Sequence, residues 1–133
     1  MTERVAACIC GQLTIACTGE PVRVSMCHCL NCQRRSGSAF AVQARFPRES
    51  VAISGEAKAF NLKGDSGGTA TFRFCPNCGG NVYYELDSQP GLIAVPVGAF
   101  ADPSFPSPNY SVYEERAHAW ALCASEVAPE RYP

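Results

Sequence analysis

The residues best suited to chemistry are cysteines, and they fall into groups. Cys27, Cys29 and Cys32 lie within six residues, at C-x-C and C-x-x-C spacing. Two further pairs flank this cluster: Cys8 with Cys10, and Cys75 with Cys78. A structural zinc site takes four protein ligands, whereas a catalytic zinc keeps three and leaves one position open. The two outer pairs together therefore predict a closed zinc site, and the central three predict an open one.

The outer pairs have the form of zinc knuckles. The Cys75–Cys78 segment is followed by two glycines, whose backbone freedom lets amides approach the sulfur atoms. A C-x-x-C pair can instead be redox-active, but redox pairs usually open a helix and these glycines would break one. Cys8 and Cys10 are also followed by glycine and form the natural partner pair. We therefore expect these four cysteines to hold a structural zinc; buried cysteines without metal are the alternative.

The central cluster suits a zinc ion that keeps one position free. Three thiolates leave the bound ion with a net charge of −1, and soft sulfur donors favour a further thiolate as the fourth ligand. A substrate thiol bound there would lose its proton and become a nucleophile at neutral pH. A metal-free site, in which two of the three cysteines are oxidised to each other, is the alternative. His28 cannot easily share the ion with its neighbours, so it is expected to position the site by hydrogen bonding or, as the alternative, to relay a proton.

Two arginines follow the central cluster directly. A guanidinium group binds a carboxylate through two parallel hydrogen bonds, so Arg34 or Arg35 is a candidate anchor for an acidic substrate. The alternative is that both are solvated on a basic loop over residues 34–38. Other residues with candidate roles are expected in the core: Phe40, Phe72, Phe74, Trp120, Cys17 and Cys123. Trp120 is the first candidate among them for lining a pocket.

Length and composition set the class of protein. A chain of 133 residues with 47% hydrophobic and 17% charged residues fits a single globular domain over residues 1–133. A net charge of −1 argues against nucleic-acid binding, which needs a basic excess. No run approaches the ~18 apolar residues of a membrane span, and no apolar leader is visible at the start. Nine cysteines without an export signal favour metal binding over disulfides and predict a cytoplasmic protein.

The apolar pattern predicts short strands between glycine and proline breaks. Segments that alternate or are continuously apolar predict strands over residues 12–18, 22–26, 39–46, 51–54, 58–62, 69–74, 82–86 and 92–97. A turn is expected at 65–68 and an irregular excursion at 101–109, while 110–120 is either a strand or a short helix. No long helix is predicted. We therefore expect an all-β fold, an antiparallel β-sandwich or partly open barrel with a zinc-ribbon-like knuckle.

The order of these motifs resembles that of a known family. The resemblance is carried by four motifs in order: Cys8-x-Cys10-Gly11, Cys27-His28-Cys29-x-x-Cys32-x-Arg34-x-Ser36-Gly37, Phe74-Cys75-Pro76-x-Cys78-Gly79, and Trp120. With these motifs the chain resembles the glutathione-dependent formaldehyde-activating (GFA/CENP-V) family. The resemblance covers about residues 5–120. It implies a structural zinc at the outer pairs and a catalytic zinc at the central three. The activity it implies joins formaldehyde to glutathione, and is classed as a carbon–sulfur lyase.

Two hypotheses from different classes follow. In the first, the chain is a zinc-dependent, carbon–sulfur lyase-like enzyme for a small thiol, with glutathione as the candidate, or its aldehyde adduct. The thiolate adds to the aldehyde carbonyl, and the reverse reaction expels it. In the second, the chain is a non-catalytic zinc-ribbon module that binds a protein partner, and the central cysteines form another structural site. An open coordination position favours the enzyme, and a fourth protein ligand favours the module.

Overall fold

The computed structural model describes residues 1–64, 67–121 and 130–133, and strands dominate it. The strands are β1 (Glu3–Ala7), β2 (Thr14–Thr18), β3 (Arg23–Cys27), β4 (Ala41–Pro47), β5 (Val51–Ser54), β6 (Lys58–Lys63), β7 (Thr69–Phe74), β8 (Asn81–Leu86), β9 (Leu92–Pro96), β10 (Tyr110–Val112) and β11 (Glu130–Arg131). One α-helix, α1 (Leu30–Ser36), follows β3. Four single turns of 3₁₀ helix cover Arg48–Ser50, Val97–Phe100, Glu114–Arg116 and Ala119–Ala121.

The strands form two open sheets. A small sheet has the order β1-β2-β5, and a large sheet has the order β11-β10-β3-β4-β9-β8-β7-β6. This confirms the predicted all-β fold. The pairing is antiparallel except at one edge, where β10 runs parallel to both β3 and β11. That edge corrects the expectation of a wholly antiparallel sandwich, and its strands are too short to show a pattern in the sequence.

The two sheets meet in one hydrophobic core. Leu13, directly before β2, and Ile15 and Cys17 within it point inward, as the alternation predicts, and all three are fully buried. Cys17 is thus a packing residue, and burial raises the pKa of its thiol to about 12. The large sheet contributes residues of one parity to this core: Val24, Ala44, Phe46, Ile93 and Val95. Because successive side chains of a strand point to opposite faces, the residues between these core positions face the other side of the large sheet.

Helix α1 is where the structure departs most from the sequence prediction. Arg34 and Arg35 lie on its last turn, not on a loop. The Cys29 side chain accepts a hydrogen bond from the backbone N–H of Cys32 at the helix start, and Gly37 ends the helix in the left-handed region at φ 66°. A seven-residue helix is too short for an amphipathic period to show, and cysteine is not a common N-cap, so neither signal predicts this helix.

Of the smaller predictions, some are confirmed and others are wrong. Strands β5 and β7 have the predicted bounds, but β1 and β11 were not predicted and Val22 is exposed instead of inward. The predicted turn at 65–68 and the expected packing role of Cys123 fall partly or wholly outside the described residues. Among the residues that are described, no helix has the length and apolar character needed to cross a membrane. The cytoplasmic location stays a prediction.

Candidate metal centres and active-site cavity

The outer cysteine pairs come together as the sequence predicts. The sulfur atoms of Cys8, Cys10, Cys75 and Cys78 all lie within 4.8 Å of one another. The Cys8–Cys10 and Cys10–Cys75 sulfur separations are both 3.6 Å. Tetrahedral zinc with Zn–S bonds of about 2.3 Å places its sulfur ligands roughly 3.8 Å apart, so the four thiols fit this ion.

The surroundings of this four-cysteine cluster stabilise thiolates. The Cys75 sulfur accepts hydrogen bonds from the backbone N–H groups of Asn77 and Cys78 and from the Gln12 side chain at 3.1 Å. Burial opposes ionisation of Cys75, but the N–H donors of Cys78 and Gln12 outweigh it and bring its pKa down to about 6. Gln12 also bonds both backbone groups of Glu56. The cluster is thereby tied to the turn between β5 and β6.

Glycine is required beside the four-cysteine cluster. A Cβ atom on Gly80 would lie 3.1 Å from Cys8 Cβ and 3.6 Å from Cys78 Sγ. Gly79 and Gly11 adopt positive φ angles of 78° and 81°, which side chains other than glycine's rarely adopt. The knuckle glycines therefore provide both the turn and the close approach that the motif predicts.

The central cysteines also converge, at the junction of β3 and α1. The sulfur atoms of Cys27, Cys29 and Cys32 lie within 4.8 Å of one another, and no further Cys, His, Asp or Glu of residues 1–64, 67–121 or 130–133 joins them. All three are free thiols. Hydrogen bonds from Cys27 and Cys32 hold the pKa of Cys29 far below its ordinary value, at about 2, and backbone N–H groups add to this. Three sulfur donors with a stabilised thiolate suit zinc with one position open.

His28 lies between two of these cysteines but faces away from them. Its ring is fully buried, packs 5.9 Å from the Phe40 ring, and places Nε2 3.3 Å from Ser111 Oγ. Ser111 donates its hydroxyl proton to Glu114 at 2.6 Å, so its oxygen is left to accept from Nε2–H of His28. Burial lowers the pKa of His28, which favours the neutral ring. The structure thus brings the three cysteines together and leaves His28 behind them.

A cavity of about 550 Å³ opens beside the central cluster. The volume is within the range of small-molecule sites. All three central cysteines line it, together with five of the chain's arginines and a single acidic residue, Asp87. The arginines are Arg23, Arg34, Arg35, Arg45 and Arg116. A basic cavity in a chain of net charge −1 indicates selection for an anionic ligand.

The register of the large sheet explains which residues face this cavity. In β3 and β4, Cys27 is opposite Ala41, Ser25 opposite Gln43, and Arg23 opposite Arg45. Opposed residues share a face of the sheet, so these pairs form three successive rungs of one wall. Tyr84 joins the wall through its pairing with Ala94, which is itself opposite Arg45.

Arg45, Gln43 and Arg23 were missed by sequence reasoning. The signal was present, because Gln43 and Arg45 are polar at alternate positions of an otherwise apolar strand. Alternation of this kind indicates a strand with one face in the core and the other outside it. In an isolated sequence it was hidden by the apolar residues between them.

The two arginines that the sequence did single out differ in their surroundings. Arg35 donates to Asn81 Oδ1 at 2.8 Å and reaches Cys32 Sγ at 3.7 Å. Its guanidinium carbon also lies 5.1 Å from the ring centre of Phe72 and 5.0 Å from that of Tyr84. Arg34 lines the cavity, and its side chain makes no hydrogen bond to another described residue. Arg35 is therefore built into the wall, whereas Arg34 is available at the surface of the cavity.

The remaining aromatic candidate does not reach the site. The Trp120 side chain is 72% exposed and packs beside His118, so its predicted placement in the core or the pocket is wrong. A larger cavity of about 700 Å³ lies between the start of β4 and residues 102–108. The central cysteines do not line it, and its titratable lining residues within the described chain are Arg35 and Asp102 alone. Convergent polar groups make the smaller cavity the candidate active site.

Comparisons with known proteins give a matching family and a similar solved structure. The family described as glutathione-dependent formaldehyde-activating enzyme matches residues 3–116. A crystal structure of a Rhodobacter sphaeroides protein is similar, with 22% identity, a TM-score of 0.56, and coverage of 71% of this chain and 85% of that chain. At that identity the likeness concerns the fold alone. Among curated proteins there is no match to this chain.

Proposed function

The chain belongs to the glutathione-dependent formaldehyde-activating enzyme family, and on that premise we propose that it is a zinc-dependent carbon–sulfur lyase-like enzyme. The substrates are a small thiol and an aldehyde, with glutathione and formaldehyde as the first candidates. The observation that carries the proposal is the convergence of three thiols, without a fourth ligand among the described residues, on the wall of an arginine-rich cavity.

The proposed reaction is balanced without an oxidant or a reductant. The thiol sulfur forms a bond to the carbonyl carbon, the carbon–oxygen π bond breaks, and the thiol proton ends on the oxygen as a hydroxymethyl group. The reverse reaction cleaves the carbon–sulfur bond and returns the proton to sulfur. Zinc held by Cys27, Cys29 and Cys32 would supply a cation at which a substrate thiol ionises at neutral pH.

Other residues have distinct proposed roles. His28 is a positioning residue, because its buried ring fixes the backbone between two of the zinc ligands from behind. Arg34 attracts anionic thiols towards the cavity. Tyr84 faces the cavity, and burial raises its pKa to about 12, so its hydroxyl stays protonated and can donate a hydrogen bond to the substrate oxygen.

The test is a screen of thiol–aldehyde pairs with the zinc-loaded protein, in which NMR of ¹³C-formaldehyde measures the rate of adduct formation. We expect faster exchange between free and adduct formaldehyde than in buffer, and no acceleration by Cys29→Ser. The competing hypothesis, a protein-binding module, requires a closed central site. That module would be supported instead if no pair is accelerated and X-ray absorption at the zinc edge shows a fourth protein ligand on the central ion. Cys123→Ser tests the candidate ligand that lies outside the described residues.

A further inference from the structure

The arginines of this chain divide into two groups by their partners. Five of them form ion pairs with glutamates: Arg4, Arg48, Arg73, Arg116 and Arg131. The other four are not paired with any carboxylate of the described residues, and all four line the cavity beside the central cysteines: Arg23, Arg34, Arg35 and Arg45. The arginines without an ion-pair partner among the described residues thus all lie at one cavity.

Arg45 is the most informative of the four because it is buried. Its side chain is only 7% exposed in β4. It donates to Ser25 Oγ at 2.7 Å and to Gln89 Oε1 at 3.2 Å. Both partners are neutral. A buried charge is costly unless a counter-charge accompanies it, so the arrangement lacks an anion.

Two neighbours of Arg45 on the cavity wall are incomplete as well. Arg23 is directly opposite it in the β3–β4 pairing, and its Nε is buried without a partner among the described residues. Gln43 Oε1 is also buried without one. Buried polar atoms in folded proteins are almost always hydrogen-bonded to protein, water or ligand. A buried guanidinium without a counter-charge, an unpartnered donor and an unpartnered acceptor in one wall match a ligand with both a carboxylate and an N–H group.

The distance to the cysteines sets the size of that ligand. The Arg23–Arg45 rung is four residues along β3 from the Cys27–Ala41 rung. At about 3.3 Å per residue, the two rungs are separated by about 13 Å. Among the described residues, no hydrogen bond joins Arg45 to a central cysteine, and its partners are Ser25 and Gln89. A tripeptide extends to about 10 Å. It can connect the two rungs because the Cys27 and Arg45 side chains both line the cavity and cover part of the separation.

We propose that Arg45 and Arg23 form a carboxylate-binding subsite at the far end of the cavity, which anchors the thiol substrate through a carboxylate remote from its sulfur atom. This inference rests on the proposed function for its thiol end. The carboxylate lies between the two guanidinium groups, and Gln43 accepts a hydrogen bond from an N–H group of the ligand. The subsite also differs from the one predicted from the sequence, because Arg35 is held by Asn81 and two aromatic rings.

The experiment separates the subsite from the chemistry. S-methylglutathione has no free thiol, so its binding to the zinc-loaded protein reports the carboxylate end alone. Isothermal titration of wild type with S-methylglutathione and with its diethyl ester should show about 10- to 100-fold weaker binding of the ester, the value of a charge-assisted hydrogen bond. In Arg45→Gln the two ligands should bind alike, and Arg23→Gln should reduce the difference. Arg48→Gln, outside the cavity, should leave it unchanged.

The outcomes are distinct for the two proposals. Equal binding of the acid and the ester by wild type, or an unchanged ratio in Arg45→Gln, would overturn the subsite. If Arg45→Gln does not fold, the wild-type ratio and the Arg23→Gln ratio decide. Arg45-dependent binding of S-methylglutathione without any acceleration of adduct formation would support the subsite and reject the proposed reaction.

Discussion

The two cysteine clusters contain the same ligand atom but differ in what they join. The four-cysteine cluster links the turn after β1 to the knuckle between β7 and β8, across 65 residues between Cys10 and Cys75. It therefore connects the small sheet to the large one. The three-cysteine cluster spans only Cys27 to Cys32 and joins nothing that the chain does not already hold together. We infer that metal at the first cluster stabilises the fold, while metal at the second serves the cavity.

The largest effect is expected when one ligand is removed from each cluster in turn. Structural zinc contributes on the order of 10–16 kcal/mol in small zinc domains, so Cys75→Ser should lose its cooperative thermal unfolding transition. Cys29→Ser should unfold near the wild-type temperature but lose adduct formation. Circular dichroism and zinc analysis measure both variants. A Cys29→Ser protein as unfolded as Cys75→Ser would mean that both clusters are structural.

Graded chelation should separate the clusters by a smaller effect. A chelator competes for an accessible three-ligand ion more readily than for a closed four-ligand ion. The first zinc equivalent should therefore leave without loss of secondary structure, and the second should leave together with the fold. Simultaneous release of both equivalents at the unfolding point would contradict the comparison. Cys29→Ser provides the control, because it should release a single, late equivalent.

A glycine substitution tests the four-cysteine cluster without removing a ligand. Gly80→Ala places a methyl group 3.1 Å from Cys8 Cβ, and overpacking of this kind typically costs about 1–3 kcal/mol. We expect a lower unfolding temperature and an unchanged central site. Gly91→Ala is the matched control, since nothing lies within 4 Å of its added Cβ. Equal stability of the two variants would show that the knuckle tolerates a wider approach.

The smallest effects concern the two arginines of α1. Arg35→Ala should lower stability by about 1–2 kcal/mol, because it removes a hydrogen bond to Asn81 and contacts with two aromatic rings. Arg34→Ala should leave stability unchanged and weaken binding of glutathione only a few-fold, more at low salt than at high salt. Thermal unfolding and titration with glutathione and a neutral thiol measure these changes. If Arg34→Ala lowered stability more than it weakened binding, Arg34 would have the structural role that is assigned to Arg35.

How much the sequence revealed depended on how local the signal was. Cysteine spacing predicted both clusters because the ligands of each half-site are close in the chain. Strand alternation predicted the core face of β2 for the same reason. The cavity wall was not predicted, because Arg23 and Arg45 become neighbours only through the β3–β4 register. Helix α1 was missed since its start is marked by Cys29, a residue already assigned to metal binding.

Strand β4 carries two separable functions along a single stretch of backbone. Val42, Ala44 and Phe46 pack towards the hydrophobic core, while Gln43 and Arg45 face the cavity. Mutations at one parity can therefore change which thiols the cavity accepts, while those at the other parity are constrained by the core. Divergence among relatives is expected to concentrate at the cavity-facing positions. A library randomised at positions 43 and 45 is accordingly the shortest route to a protein of this fold with a different substrate.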